Sequence, residues 1–362
     1  MNDSNLYYLV TRPCAWTLSN YFKTYGQALQ KHLRVIPYES LFGVRRFGSG
    51  LYIFSDVERL TDLTTDLAVQ LWERLDKAGK GVVVLNHPLR SMRRYELLRN
   101  LHDSGVNQFN VYWLRDEVLP KRFPVFIRDE SKHAYFYSSV LKTPDELSAA
   151  AAKIRRDREK FKNSIVVEFC DTRDANGVFR KYSAFVVGGR IVPRHIYFSR
   201  HWDVRQVHEI TEWTEPMYRE VDQYLQQNPD ESFLKEIFRT AGIQYGRVDY
   251  SFLNGRPQVW EINTHPYIFA PEDYPPARLL QTELSARDFT AALQDLLVEP
   301  KEAVNLTVYF RIRKAAYWRE IFYSALRIVW DFLKGLFPRH VRLAVRDRLT
   351  AIPGLKRFRR HE

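Results

Sequence analysis

Cysteine is nearly absent: 362 residues contain only Cys14 and Cys170. Two distant thiols make neither a disulfide framework nor a metal cluster. Both read as reduced, buried thiols of a cytosolic chain. Long apolar runs are missing too. No stretch of about 18 or more uncharged apolar residues occurs, so no spanning helix is expected. The N-terminus, MNDSNLYYLVTRPCAW, has no basic segment leading into an apolar one, so no secretory signal is expected. Glycine is sparse, with 15 residues and none between Gly105 and Gly177. No Gly-x-Ser-x-Gly, Walker A or Cys–His arrangement appears. The glycines of FGVRRFGSG (42–50) do not match a dinucleotide fingerprint, and the stretch reads as a plain loop.

What remains is an ordinary globular composition, 45% hydrophobic, 14% aromatic and 27% charged. The length suggests two or three domains. The net charge of +12 is uneven. Residues 301–362 hold 15 Lys/Arg against 5 Asp/Glu, leaving 40 against 38 in residues 1–300. The body is nearly neutral and the tail basic.

Strand-like and helix-like stretches alternate through the first 115 residues: LYYLVT (6–11), GLYIFSD (50–56), GVVVLNHP (81–88) and FNVYWL (109–114) as strands, with helices over 64–79 and 91–105. YFKTYGQALQKHL also reads as helical. Such alternation predicts βαβ units and a parallel sheet. After Leu119-Pro120 the texture becomes α+β. FPVFIR (123–128) and HAYFYSSV (133–140) are β-rich. Thr143, Pro144 and Glu146 mark the capped start of a helix over 143–161. SIVVEFCD (164–171) is a strand, and residues 179–199 form a hairpin turning at Gly188-Gly189. A helical stretch spans 215–242. The expected organisation is an α/β lobe with a parallel sheet (1–119), an α+β domain of two subdomains (120–163 and 164–300) and a helical basic tail (301–362).

The informative segment is YGRVDYSFLNGRPQVWEINTHP (245–266). Asn254-Gly255 is a hairpin turn signal. With a three- or five-residue loop, 249 faces 261 and 247 faces 263. Arg247, Asp249, Glu261 and Asn263 then project from one face, because side chains alternate along a strand. Val248, Tyr250, Phe252, Trp260 and Ile262 project from the other. A two-residue loop would break this division. Two carboxylates and an amide suit a hard divalent cation such as magnesium. A neighbouring arginine suits phosphate or a developing oxyanion. A surface ion-pair ladder is the alternative for such spacing.

The order of these pieces resembles the ATP-grasp superfamily, in its carboxylate–amine ligase branches that include D-alanine–D-alanine ligases and ribosomal-protein glutamate ligases. The likeness spans roughly residues 80–270. Its sharpest motif is Arg-x-Asp, a glycine-containing turn, then Glu-x-Asn. The resemblance implies an ATP-grasp fold and ligation of a carboxylate to an amine through an acyl phosphate, with ATP and Mg²⁺ as cofactors. It implies that Asp249, Glu261 and Asn263 hold metal and that Arg247 meets the γ-phosphate or the tetrahedral intermediate. Lys181 would reach the phosphates. Backbone groups of Glu168, Phe169 and Cys170 would meet adenine, and Asp171 or Asp174 the ribose. Arg194 and Arg200 would face the acceptor. The sequence departs from the family where a strand-end lysine is replaced by Arg128, and where a glycine-rich phosphate loop is replaced by DESKHAYFYSS. In that loop Lys132 or His133 could serve. A kinase using the same site, or a catalytically silent nucleotide-binding scaffold, are the other readings.

His195 and His201 match no zinc spacing, and structural roles are expected for them. In the tail, IFYSALRIVWDFLKGLF (321–337) places Ser324, Arg327, Asp331 and Lys334 on one helical stripe opposite a broad apolar face. Pro338 and a second basic amphipathic stretch follow. Packing or self-association is expected, with an anionic membrane surface as the next partner and nucleic acid last. The implied location is cytosolic, with a peripheral membrane contact of the tail as the alternative.

Overall fold

The computed structural model describes residues 5–79, 81–132, 136–205, 208–210, 212–268, 276–297 and 304–311. The alternating N-terminal pattern builds a parallel sheet. β1 (Asn5–Val10) leads through short helices α1 (Ser19–Thr24) and α2 (Gln27–Gln30) to β2 (Leu33–Pro37). β3 (Val44–Gly48), β4 (Gly50–Phe54), α3 (Asp62–Ala78), β5 (Val82–Leu85) and α4 (Arg94–Asp103) follow. The strands run in the order β2-β1-β4-β5, all parallel. Leu63, Leu67, Leu71 and Leu75 recur every four residues on α3 and are buried as one stripe. The helix expected around Tyr21–Leu33 is broken at Gly26, where a Cβ would stand 2.6 Å from the Tyr21 ring.

Three further expectations fail here. The supposed loop at 42–50 contains β3, which pairs antiparallel with β13 (Asn305–Tyr309). The strand at 109–114 does not close the parallel sheet. Its core, β6 (Val111–Trp113), pairs antiparallel with β8 (Ser164–Glu168), and β7 (Val125–Asp129) lies on the other side of β8. Leu98, Phe109, Val111, Ile165 and Val167 form one buried cluster, and that burial takes β6 away from the first sheet. The long helix expected at 143–161 is two, α5 (Pro144–Arg155) and α6 (Arg158–Lys162). Asp157 divides them and caps α6 by accepting from Glu159 N and Lys160 N, both at 3.2 Å. Thr143 caps α5 as expected, although Glu146 reaches back to the amide of Lys142.

β9 (Phe179–Val187) and β10 (Arg190–Ser199) form the expected hairpin. α7 (Glu215–Gln227) and α8 (Glu231–Ala241) are separated at Asn228, whose φ is +45°. β11 (Tyr245–Leu253), β12 (Arg256–Asn263) and α9 (Pro276–Asp295) complete the unit. The second four-stranded sheet is antiparallel, in the order β10-β9-β11-β12. One face buries Ala184, Val186, Val248, Tyr250, Val259 and Ile262 under α7 and α8. The other face is divided along its length. Phe185, Val187 and Tyr245 join Phe289 of α9 and the parallel sheet in one core. Lys181, Ser183, Arg247 and Asp249 continue that face by strand alternation, so ionic side chains begin where apolar cover ends.

Asn86 joins the two sheets. It is fully buried with φ +63°. Its amide nitrogen donates to Phe54 O (3.0 Å) and Tyr245 O (2.8 Å), and its oxygen accepts from Gln244 N (2.8 Å) and Tyr245 N (2.9 Å). All four hydrogen-bonding positions of the amide are used.

Met1–Tyr309 forms one compact unit and Phe310–Glu362 a second, of which only Phe310 and Arg311 are described. The helix expected at 321–337, the basic stretch after it and His133 lie outside the described residues. Among those residues, no helix is long and apolar enough to cross a membrane.

Replacing Asn86 with alanine leaves four buried backbone groups without that partner and keeps an unfavourable φ. A loss of about 3 kcal/mol or more is expected in urea unfolding, read as a lower midpoint at unchanged slope.

Candidate active site

The hairpin of β11 and β12 turns in two residues, not three or five. Asn254 (φ +51°) and Gly255 (φ +75°) link Leu253 directly to Arg256, a geometry that matches strand twist. A bulge then corrects the register. Tyr250 faces Val259, but Asp249 faces Glu261 and Arg247 faces Asn263, with Trp260 as the extra residue. The expected facing pairs are therefore present for a different reason. Trp260 leaves the apolar wall assigned to it, stacks on Phe109 at 5.1 Å and packs in the cluster beneath β6.

Buried Asp249 and half-buried Glu261 thus stand side by side on one rung. Like charges so placed repel, and basic groups from four elements meet them. Asp249 Oδ1 accepts from Arg247 Nε (2.9 Å) and Ser183 Oγ (2.8 Å), and Oδ2 faces Lys181 Nζ at 3.3 Å. Burial alone would raise the Asp249 pKa, but Arg247 and Lys181 outweigh it and hold the carboxyl below its usual value. Burial likewise disfavours the Arg247 cation, yet Asp249 pulls its pKa upward. Glu261 Oε2 accepts from Arg94 (2.6 Å) and Arg128 (2.9 Å). Burial, followed by repulsion from Arg94, lowers Arg128 to about 10. Arg128 Nε is buried with no hydrogen-bond acceptor, while its guanidinium lies 5.2 Å from the Phe136 ring centre. Asn263 is buried, and its Oδ1 accepts from His265 N at 2.8 Å.

Arg94 was not legible in the sequence. It opens α4, some 150 residues before the hairpin, and only tertiary packing brings it there. Besides Glu261, it donates to the carbonyls of Asp129 (2.9 Å), Lys132 (3.4 Å) and Glu130. It therefore ties the start of the glycine-free loop to β12. Asp129 shapes that loop from within. Its carboxylate accepts from Ser131 N (3.0 Å), Lys132 N (3.1 Å) and Tyr137 Oη (2.6 Å). The amides of Ser131 and Lys132 point at Asp129, whereas a glycine-rich loop offers its amides outward to phosphate. Lys132 itself is exposed, 3.7 Å from Asp129.

The residues expected around the nucleotide base are differently occupied. Glu168 is buried, and its carboxylate accepts from Tyr112 Oη (2.9 Å), Asn110 N (3.0 Å) and Arg122 (2.9 Å). The amides of Glu168 and Phe169 donate to Asn110 O (3.0 Å) and Pro124 O (2.8 Å). Both cysteines are half-buried rather than buried, and burial pushes the Cys170 thiol up to about 12 and also raises Cys14, which disfavours the reactive thiolate. Asp171 pairs with Arg173, and Asp174 caps a turn and pairs with Arg180. Aromatic rings from Phe126, Phe136, Phe169 and Trp202 gather beside this strand end. Arg194 is the extra residue of a bulge in β10. It is buried and reaches Thr282 of α9 at 3.4 Å. Arg200 is exposed and donates to the Asn176 carbonyl. The hairpin charges therefore separate: Lys181 joins the carboxylate rung, Arg194 packs on α9, and Arg200 braces a turn.

No family model matches the chain, and no curated protein does. Solved structures do show similarity. D-alanine–D-alanine ligase from Bacillus anthracis complexed with ATP matches at TM-score 0.47 and 13% identity, over 82% of this chain and 97% of that one. The ATP-grasp ligase PsnB, complexed with a phosphomimetic variant of minimal precursor, Mg and ADP, matches at 0.47 and 12%, over 82% and 99%. A RimK domain ATP-grasp protein from Sphaerobacter thermophilus matches at 0.43 and 12%, over 81% and 99%.

Arg94→Ala removes one of two guanidinium partners of half-buried Glu261 and the donor to three carbonyls. A loss of about 2–4 kcal/mol is expected in urea unfolding, with faster hydrogen exchange at residues 129–132. The depressed Asp249 pKa gives a second test. Its stabilising contribution is complete above the unfolded value of about 3.9 and is lost as pH falls through the lower folded value. Unfolding free energy should therefore depend less steeply on pH below about 4 in Asp249→Asn than in the wild type.

Proposed function

We infer that this chain is an ATP-grasp enzyme, an ATP- and Mg²⁺-dependent ligase that joins a carboxylate to an amine. One observation carries the reading: Lys181, Arg247, Arg128 and Arg94 converge from four elements on the Asp249–Glu261 rung. The donor set fits a metal–polyphosphate ligand. Carboxylates on adjacent strands, with the second lone pair of Asn263 Oδ1, supply hard oxygen ligands. The basic groups now neutralising them are those that phosphate oxygens would take up, and the buried Arg128 Nε would gain an acceptor.

On this reading Asp249, Glu261 and Asn263 hold Mg²⁺, which when bound offsets phosphate charge. Arg128 and Lys181 bind the phosphates. Arg247 stabilises charge at the transferring group. Base contacts fall to the Cys170 region, beside the ring of Phe126, Phe169 and Trp202. The substrate carboxylate accepts the terminal phosphoryl group, and the amine then attacks the acyl carbon and expels phosphate. Buried Arg194 and the polar end of the β9–β10 face line the acceptor side.

Because each carboxylate is already ion-paired, metal and anion should bind together. Calorimetry on the full chain should show no binding of Mg²⁺ alone and clear binding of ATP with Mg²⁺. Asp249→Asn/Glu261→Gln should weaken the latter by about 100-fold or more. No ATP binding at millimolar concentration would refute the ligase reading and leave the silent scaffold. A phosphorylated product with no amide would point to a kinase.

A further inference from the structure

The loop leaving β10 folds back on its own strand end. Ser199 is fully buried; its hydroxyl donates to His208 O (2.8 Å) and accepts from His201 N (2.9 Å). One hydroxyl thus fixes the backbone of both histidines. A bridge between Ser199 and Glu209, and a bond from Ile210 N to Phe198 O (2.8 Å), close the loop further. The two imidazole rings lie 4.3 Å apart.

Asp203, buried in the same loop, sets the histidine protons. Its amide donates to His201 Nδ1 (3.2 Å), so that nitrogen carries a lone pair. Its carbonyl accepts from His208 Nδ1 (2.9 Å), so the proton sits there and Nε2 keeps its lone pair. A ring N–H donated to a backbone carbonyl, as His208 makes, is the usual support of a metal-ligating histidine, whereas His201 Nδ1 exchanges its bond from the Asp203 amide for the metal. Ligand atoms of His201, Asp203 and His208 all lie within 4.8 Å of one another. Two imidazoles and a carboxylate suit zinc and similar divalent transition metals better than magnesium.

The structure assigns to His201, Asp203 and His208 a binding site for a divalent transition metal of the zinc class. It uses no residue of the carboxylate rung. Arg205 pairs with Asp203 Oδ2 and stands in for the missing positive charge. Its Nε is buried without an acceptor, yet the side chain is 40% exposed and can turn to water. Tetrahedral zinc with bonds of about 2.0–2.1 Å needs ligand atoms about 3.3 Å apart, so the side chains rotate inward on binding. Three protein ligands leave a fourth position for water or an outside ligand. His208, not His195, completes the set, and no short zinc spacing in the sequence marks it.

The test is equilibrium dialysis of the chelator-treated full chain against zinc chloride, with Co²⁺ visible absorption as a second readout. One tight equivalent and a tetrahedral Co²⁺ spectrum are expected. His201→Ala, at an exposed position, and His208→Gln should each weaken zinc by about tenfold or more. Arg205→Ala should tighten it, because the competing cation is gone. Absence of a stoichiometric equivalent, or zinc binding indifferent to both histidine variants, overturns the site. ATP binding should be unchanged in His201→Ala, so this site and the ligase reading can fail separately.

Discussion

Two carboxylates on one largely shielded rung govern the rest of the molecule. Asp249 and Glu261 face each other across β11 and β12 with little water to screen them. An unpaired charge in such a place costs several kcal/mol, about 3–5 when one partner of a buried pair is lost. The rung therefore persists only where cations reach it. Lys181 comes from β9, Arg247 from β11, Arg128 from β7 and Arg94 from α4. Those elements are a helix and strands of two different sheets, and the rung is where their side chains meet. Asn86 performs the same joining with neutral groups at the apolar end of that sheet face.

The charges that stabilise the rung are the same ones on which the proposed chemistry rests. In the described structure the cations satisfy the carboxylates, and each such pair is also a place where an anion and a metal could be exchanged in. The loop 129–132 is held in a comparable way. Asp129 binds the amides within it and Arg94 binds its carbonyls, so side chains give it a definite shape without glycine.

Much of the rung was legible in the sequence because period-two alternation fixes which residues share a face. Arg247, Asp249, Glu261 and Asn263 fell together on that rule. The turn length did not follow from it, because a bulge costs one residue and leaves no clear local mark at Trp260. Arg94 was invisible for another reason: its partners lie 35 to 167 residues away. Glu168 looked available for the same reason, since its partners Asn110, Tyr112 and Arg122 are remote in sequence. β3 is short and carries two arginines, so it does not look like a strand, and β6 is a short apolar run, which does not declare its sheet. The hairpin at Gly188-Gly189 and the helix over 64–79 were plain because their signals are local.

The bulge at Trp260 also separates two jobs within one hairpin. On its inner side, register is fixed by the rung and its cations. On its outer side, Tyr250 to Val259 form a tight ribbon ending in an Asn-Gly turn. The exposed turn residues Asn254, Gly255 and Arg256 can drift, lengthen or accept an inserted tag without carrying the ionic rung out of alignment, provided the stacking of Trp260 on Phe109 survives. A family of descendants of this chain would be expected to vary freely at the tip and hardly at all inside the bulge.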